Sequence, residues 1–291
     1  MKSVVKPNFI FVGGTRCASQ YITKVLSQHP DIFMARGGGQ AGKRDVHFFS
    51  EDLTDNYFSQ FKGRNEKVIG EIRGYYLYMK SDSGESIAKK IYEFNPEIKI
   101  LISLRNPIYR TFSHYSKLVR EEKFTGRNGF MKDYDRIMNE APTSGYNSLS
   151  RIITDSLYYE AIKSYVDLFT EKNVKIIFHD TLESNPEVVF REIYSFLNID
   201  EDYLSPVINS RINTVGMLGH RKSLSSLLYR LSVKLGFYSI SKFFFRFVPT
   251  SPRVDAATHS FLSDTFEQDI IKLESYLNID LSSWKEPYSY S

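Results

Sequence analysis

The sequence predicts an α/β fold, in which a central parallel sheet is flanked by helices and the C-terminal third is largely helical. Short apolar runs alternate with segments of helical periodicity, an order typical of parallel strands joined by helices. No strand-like run follows about residue 180. The length of 291 residues suits one large domain, and we expect a single domain over residues 1–291.

Four runs are predicted to be buried strands because they are short, apolar and rich in β-branched residues. Helical periodicity appears between them at Glu85–Phe94 and Tyr159–Phe169. Asn185 and Pro186 open a further helix, with asparagine as its N-cap and proline in its first turn. The four predicted strands are Asn8–Val12, Val68–Arg73, Ile98–Leu104 and Val174–His179.

Two segments rich in glycine and polar residues, Gly37–Gly42 and Lys123–Asn147, are predicted loops because they lack periodicity. Phe237–Val248 is apolar, aromatic and lightly basic, which favours a buried helix over one that docks on a membrane surface. The chain has neither an apolar run of about 18 residues nor a leader-like N-terminus. We therefore expect a cytoplasmic protein, with peripheral membrane contact through residues 237–248 as the alternative.

Composition and charge narrow the classes of ligand. A net charge of +4 argues against a general nucleic-acid binder and suits an anionic small ligand held by a few cations. Aromatic residues make up 15% of the chain, which favours core packing over stacking on bases or sugars. Cys17 is the single cysteine, so an intramolecular disulfide framework and a cysteine-based zinc site are excluded.

The first predicted strand leads into a loop of small residues that opens directly into a helix. The stretch Asn8–Pro30 reads NFIFVGGTRCASQYITKVLSQHP. In this layout the loop amides and the positive end of the helix dipole point at a bound anion. Arg16 is the cation of this P-loop-like cradle, which lacks a side chain suited to magnesium. In a Walker A count from the first loop glycine, the second glycine, lysine and hydroxyl positions hold Ala18, Ser19 and Gln20.

A second basic segment follows the third predicted strand. Ile98–Leu104 leads into Arg105, and the helix-like Tyr109–Glu122 comes soon after. Because ligands of open parallel sheets collect beyond the carboxyl ends of the strands, we expect Arg105 and the loop at the same rim. Arg105 offers a charged planar fork that suits phosphate, and Ser113 offers a hydroxyl two turns into the helix. Spacing alone equally allows Arg105 to pair with a carboxylate.

These residues resemble a known family. Leu104–Glu122, LRNPIYRTFSHYSKLVREE, is similar to the 3′-phosphate-binding segment of sulfotransferases that use 3′-phosphoadenylyl sulfate (PAPS), in which the pattern LRNPxxRxxSHY recurs. The N-terminal loop resembles their 5′-phosphosulfate loop, G-x-P-K/R-x-G-T-T, before a helix ending S-x-H-P. Counting back from His29 and Pro30 places Arg16 at the family's lysine or arginine. The proline, the glycine and the two threonines of the family's loop pattern correspond here to Thr15, Ala18, Ser19 and Gln20.

Further segments agree in order, so the resemblance spans nearly the whole chain. Arg44–Phe49 resembles the K-E-x-H-F-F block of carbohydrate-type members, which include heparan sulfate enzymes and bacterial relatives. Gly70–Tyr78 resembles their G-E-x-S-P-x-Y-L-Y, with Arg73-Gly74 in place of the small residue and proline. The resemblance implies an enzyme that moves a sulfuryl group from PAPS to a hydroxyl or amine and leaves 3′-phosphoadenosine 5′-phosphate (PAP). A carbohydrate or glycolipid acceptor is favoured, and no metal is required.

Sulfuryl transfer needs cations and amides at the leaving phosphate and a base for the acceptor proton. By its family position, Arg16 stabilises the leaving 5′-phosphate electrostatically. Asp45 matches the family's glutamate and is the first candidate for the base; its alternative role, which we favour less, is an ion pair with Arg44. His47 is the second candidate, because an ordinary imidazole pKa of about 6.5 suits proton abstraction near neutrality. Its alternative role is packing in the core.

The resemblance also implies the residues that hold the donor. Arg105 and Ser113 correspond to the 3′-phosphate contacts, and Arg221 and Lys222, in a GHRKS loop, would close over the same phosphate. The remaining donor-binding residues are those of the N-terminal loop: Gly14, Thr15, Arg16, Cys17, Ala18, Ser19 and Gln20.

Two other functions stay open. A small-molecule kinase of the P-loop type would need a lysine and a hydroxyl residue where this chain has Ser19 and Gln20. A relative that binds PAP without turnover is suggested by the departures from the family pattern, at Ala18, Gln20, Asp45 and Arg73-Gly74.

Overall fold

The computed structural model describes residues 5–35, 54–80, 85–120, 129–139, 151–210, 231 and 254–286. The chain divides into two compact units. The first comprises Met1–Asn106 and Tyr158–Ile212, and the second comprises Pro107–Leu157 and Asn213–Ser291. The predicted loop at Gly37–Gly42 and the predicted helix at Phe237–Val248 lie outside the described residues.

The first unit contains a parallel five-stranded sheet with the order β2-β3-β1-β4-β5. This sheet confirms the α/β class, and four of its strands lie within one or two residues of the predicted bounds. The remaining strand, β2, was not predicted, because its four residues IFMA carry too short a pattern. The strands are β1 (Phe9–Gly13), β2 (Ile32–Ala35), β3 (Val68–Ile72), β4 (Lys99–Leu104) and β5 (Val174–Phe178).

The described helices include those predicted at residues 85–94, 109–122, 159–169 and 185–197. One corrects a prediction, because Gly129–Asn139 is helical inside the segment 123–147 that was expected to be a loop. The helices are α1 (Ser19–Leu26), α2 (Thr54–Ser59), α3 (Ile87–Phe94), α4 (Pro107–Arg120), α5 (Gly129–Asn139), α6 (Arg151–Thr154), α7 (Tyr159–Val166), α8 (His179–Ser184), α9 (Pro186–Phe196) and α10 (Ala256–Leu277).

Two apolar clusters cover opposite faces of the sheet in the first unit, since alternate strand residues point to opposite sides. On one face, Phe9 and Phe11 of β1 pack with buried residues of α1 and α9. On the other face, Ile69 of β3 packs with Tyr57 and Phe61, in and after α2. Because both faces are covered, β1 is completely buried, as expected for a central parallel strand.

The second unit is helical in its described residues. Phe130 and Asp133 of α5 are buried, and the hydroxyl of Tyr115 in α4 donates a 2.6 Å hydrogen bond to Asp133. Phe130 also packs edge-on against the Tyr115 ring. These contacts explain why a segment with weak apolar periodicity forms a helix. The long helix α10 begins after Asp255, whose carboxylate accepts from the Thr258 amide as an N-cap.

Candidate functional site

The loop between β1 and α1 leaves no space for side chains at its first two positions. Gly13 has φ +140°, and a Cβ there would lie 2.6 Å from the carbonyl oxygen of Gly74. At Gly14 a Cβ would lie 2.7 Å from the Tyr78 hydroxyl oxygen. The Gly74 backbone therefore requires glycine at position 13, and a side chain at position 14 would have to displace the Tyr78 hydroxyl.

Strand β4 holds the same loop through one buried serine. The Gly14 amide donates a 2.7 Å hydrogen bond to the Ser103 carbonyl oxygen, and the Ser103 hydroxyl donates one of 2.7 Å to the Cys17 carbonyl oxygen. Cys17 is itself completely buried, and its thiol lies 3.6 Å from the Thr15 carbonyl oxygen. Sequence analysis missed Ser103; the available signal was a lone hydroxyl residue in the apolar strand KILISL.

Two residues of the loop adopt left-handed backbone conformations. Arg16 has φ +68°, and Ala18, the N-cap of α1, has φ +63° and ψ +18°. Left-handed geometry is accessible to glycine at little cost and strains a residue with a Cβ. The conformation at Ala18 explains why glycine suits this position in the loop pattern of the resembling family. Arg16 is half-buried, so part of its side chain reaches solvent.

Helix α1 directs its positive end at the loop. Its first intrahelical hydrogen bond runs from the Ile22 amide to the Ala18 carbonyl oxygen, so the amides of the first turn point towards the loop. No acidic residue occurs in that turn, and the half-buried Ser19 and exposed Gln20 begin it. With the charge of Arg16 beside it, this end of the helix suits a phosphate or sulfate group.

The structure brings Arg105 to the same edge of the sheet as the loop. Strands β1 and β4 are parallel neighbours, with Gly13 in register with Ile102, so their carboxyl ends meet at one edge. Arg105 follows β4 directly and is half-buried. Its carbonyl oxygen accepts a 2.8 Å hydrogen bond from the Tyr158 hydroxyl, which fixes the backbone there. The expectation that these two basic segments share a rim is confirmed.

Ser113 belongs to the second unit, where α4 is held by a buried arginine. Arg110 is completely buried and donates hydrogen bonds to the Ile152 carbonyl oxygen at 2.9 Å and to Asp155 at 3.3 Å. Thr111 contacts Ser156 through their hydroxyls at 2.7 Å. Ser113, half-buried, lies one turn beyond Arg110 on this anchored helix.

Beneath the rim of the first unit lies a buried polar cluster that sequence analysis did not single out. Glu71 in β3 has no exposed surface, and its Oε2 lies 4.0 Å from Nε of the buried Arg73. Burial raises the pKa of the Glu71 carboxyl to about 7, and the Arg73 guanidinium opposes part of that rise. Burial and the Glu71 charge also raise the pKa of the Tyr57 hydroxyl. The sequence signal was a carboxylate within the otherwise apolar strand VIGEI.

Comparison with known proteins shows similarity to sulfotransferases. A family model described as "Sulfotransferase domain" matches residues 86–214, which include β4, Arg105 and Ser113. The crystal structure of a sulfotransferase from Alicyclobacillus acidocaldarius has a TM-score of 0.69 and 26% sequence identity, over 97% of this chain and 100% of that one. Residues 86–214 thus match a sulfotransferase domain, and the chain resembles sulfotransferases in sequence and fold.

Curated sulfotransferases match over part of their length. Heparan sulfate glucosamine 3-O-sulfotransferase 5 of Mus musculus is 21% identical over 196 residues, which cover 66% of this chain and 54% of that protein. The membrane-associated sulfotransferase kil1 of Dictyostelium discoideum is 21% identical over 286 residues, and the match covers 69% of this chain and 58% of that protein. The chain thus spans about half the length of the curated relatives it matches.

His29, from which the sequence count towards the loop starts, is fixed in the core of the first unit. The His29 ring is buried between Tyr194 and Tyr203, with ring centroids 4.7 Å from each. Its Nδ1 accepts from the Asp31 amide at 3.1 Å, and its Nε2 lies 3.1 Å from the Asp200 carbonyl oxygen. A neutral imidazole that donates from Nε2 satisfies both contacts, which ties the end of α1 to the segment after α9.

Several predicted residues of the sulfotransferase site lie outside the described part of the chain: Asp45, His47, Arg221 and Lys222. Their roles stay predictions. Among the described residues, no group of three or more histidine, cysteine, aspartate or glutamate side chains is placed to hold a metal ion. Among the same residues, no helix combines the length and the apolar character needed to cross a bilayer.

Proposed function

We propose that this chain transfers a sulfuryl group from PAPS to a hydroxyl or amine acceptor and releases PAP. The proposal depends on one observation: the loop 13–18, with Arg16 and the N-terminus of α1, lies on the same sheet edge as Arg105. Residues 86–214, which include Arg105, match a sulfotransferase domain. The family match supports the reaction class, and the loop supplies the amides and cation that an anionic donor needs.

The loop would act on the leaving group. In an in-line transfer, a bond forms between the acceptor oxygen or nitrogen and sulfur, while the bond from sulfur to the bridging phosphate oxygen breaks. Negative charge then grows on the 5′-phosphate of PAP. Arg16 and the amides from Cys17 to Gln20 are the groups we assign to stabilise that charge, and the N-terminus of α1 at the loop supports the assignment. Arg16 keeps its proton throughout, so its contribution is electrostatic and bidentate.

Recognition of the 3′-phosphate is assigned to Arg105 and Ser113. Arg105 is supported by its place at the carboxyl end of β4, and its backbone is already fixed by Tyr158. Ser113 is supported by its position in the motif that begins at Leu104. Arg221 and Lys222 complete the assignment by resemblance.

The acceptor proton is assigned to Asp45, with His47 as the second choice. Both assignments derive from the resemblance of Arg44–Phe49 to the family's K-E-x-H-F-F block. The base would take the proton that the acceptor loses as its bond to sulfur forms.

A carbohydrate or glycolipid is the proposed acceptor. The support is the same block of sequence, together with similarity to proteins named heparan sulfate glucosamine 3-O-sulfotransferase 5. We also propose a cytoplasmic location, with residues 237–248 as the candidate for peripheral membrane contact. A relative described as membrane-associated is compatible with that contact.

The deciding experiment incubates the full chain with PAPS carrying labelled sulfate and a panel of glycans, glycolipids and tyrosine peptides, and identifies the sulfated product by mass. We expect label on a carbohydrate acceptor. Label on peptide alone would contradict the acceptor class, and PAP binding without transfer to any acceptor would favour a non-catalytic relative. A thermal-shift comparison tests the kinase alternative, which requires stabilisation by ATP with magnesium and none by PAP.

A further inference from the structure

Residues Arg73–Tyr78, here named the cover segment, pack directly against the loop 13–18. The Arg73 amide continues the sheet ladder by donating to the Phe11 carbonyl oxygen at 2.9 Å. The Leu77 amide donates to the Val12 carbonyl oxygen at 3.0 Å, one residue before the loop. Any shift of the cover segment would therefore move the end of β1 and the loop with it.

The cover segment also sets the shape of the loop. Its Gly74 carbonyl oxygen occupies the space that a side chain at Gly13 would need, and its Tyr78 hydroxyl does the same at Gly14. A turn inside the segment starts at Arg73, whose carbonyl oxygen accepts from the Tyr76 amide at 3.0 Å. Arg73 is thus the point where strand β3 ends and the cover segment begins.

The Arg73 side chain contacts two residues of strand β3. Its Nε faces Glu71 Oε2 at 4.0 Å, and its guanidinium donates to the Ile72 carbonyl oxygen at 3.2 Å. Glu71 is in register with Ile10 of β1, three residues before the loop glycine Gly13. Glu71 therefore lies below the loop in the sheet, and its contact with Arg73 links it to the cover segment.

We propose that Glu71 is a positioning residue for donor binding, which holds Arg73 and thereby keeps the cover segment against the loop 13–18. The inference rests on the proposed function, because it takes PAPS and PAP as the ligands of the loop. In the family pattern a small residue and a proline occupy positions 73 and 74. Here a buried ion pair replaces the stiffness that proline would supply.

This mechanism has a pH signature that a purely structural role lacks. Burial places the pKa of Glu71 at about 7, so the carboxyl is mostly neutral at pH 6 and mostly ionised at pH 8.5. The other titratable or charged side chains that face this carboxyl among the described residues are Arg73 and Tyr57, and Tyr76 adjoins Tyr57. The ion pair with Arg73 therefore forms only in the upper part of that range.

The test is calorimetric titration of PAP into the wild-type chain and Glu71→Gln at pH 6 and pH 8.5. We expect Glu71→Gln to raise the Kd of PAP about tenfold at pH 8.5 and less than about twofold at pH 6. The ratio of variant to wild-type Kd at each pH cancels the titration of the ligand's own phosphates. The matched control is Glu97→Gln, which makes the same change at an exposed ion pair with Lys172 and is expected to match the wild type.

The outcomes separate the two hypotheses. If the wild type and Glu97→Gln bind no PAP, the proposed function fails, and this inference fails with it. If both bind and Glu71→Gln has the wild-type Kd at both pH values, or an equal loss at both, the positioning role is overturned while the proposed function stands. Should Glu71→Gln not fold, Arg73→Met serves instead: about a tenfold loss at pH 8.5 with less than about a twofold loss at pH 6 supports the role, and wild-type affinity or an equal loss at both pH values overturns it.

Discussion

The hydroxyl of Ser103 donates a 2.7 Å hydrogen bond to the carbonyl oxygen of Cys17, which ties β4 to the loop that follows β1. Both residues are completely buried. The same serine accepts from the Gly14 amide through its carbonyl oxygen, so one residue of β4 constrains both ends of the loop. The backbone of the proposed donor site is therefore set before any ligand arrives, which lowers the cost of ordering it on binding.

Ser103→Ala should loosen this tether. Removing a buried hydroxyl that donates to a carbonyl costs about 1 kcal/mol of unfolding free energy and leaves the Cys17 carbonyl oxygen without that donor. We expect the Kd of PAP to rise about fivefold as the loop loosens. Urea unfolding and calorimetric titration measure the two effects. Ser164→Ala is the control, since its hydroxyl bonds only the nearby Ala161 carbonyl oxygen in α7, and an equal change in PAP affinity there would contradict the tether.

Ala18→Gly should stabilise the protein. Ala18 has φ +63°, a conformation that costs a residue with a Cβ about 1 kcal/mol relative to glycine. We expect the free energy of unfolding in urea to rise by about that amount. Ala161→Gly is the matched control of opposite sign, because glycine inside α7 should destabilise by about 0.5–1 kcal/mol. A fall in stability for both variants would show that the loop does not strain Ala18.

Arg16→Ala should impair turnover more than binding. Removing one contact that stabilises developing charge lowers the turnover number by about two to three orders of magnitude. Steady-state sulfate transfer measures the effect, with Arg191→Ala as the control because that arginine is exposed and 3.7 Å from Asp202. Turnover within a few-fold of the wild type would mean that the register of the loop is wrong.

Arg105→Ala should impair donor binding more than turnover. A 3′-phosphate contact is made equally in the ground state and the transition state, so its loss raises the KM for PAPS and the Kd of PAP with little change in turnover. The same Arg191→Ala variant serves as the control in a PAP titration. Unchanged donor affinity would assign Arg105 to an ion pair instead.

The stability of the protein should fall as the pH rises from about 4.5 to about 7. The Glu71 carboxyl ionises near 4.5 in its ordinary state and near 7 in the folded state, so the folded protein binds more protons across this window. The full shift corresponds to about 3 kcal/mol of unfolding free energy. Urea unfolding at several pH values should show a steeper decline for the wild type than for Glu71→Gln. Parallel curves would contradict a buried, proton-binding Glu71.

Much of the fold was predictable because its signals are local. A few residues are enough to predict the secondary structure of three segments: the β-branched run before Gly13, the helix after it and the run before Arg105. The prediction that Arg105 shares a rim with the loop needed only the rule for parallel strands, and the pairing of β1 with β4 confirms it. By contrast, β2 and α5 carry weak patterns, and their structure depends on partners such as β3 and Tyr115 that are distant in sequence.

Sequence alone was sufficient for the α/β class and the resemblance to sulfotransferases, because motif spacing and periodicity are properties of the chain itself. The roles of Ser103 and Glu71 became visible only in the folded molecule. The role of a hydroxyl or carboxyl group in an apolar strand depends on the residues that the fold places beside it. Here those residues are Cys17 beside Ser103 and Arg73 beside Glu71. Burial then gives each contact its energetic weight, because a polar group removed from water depends on the partners that the fold provides.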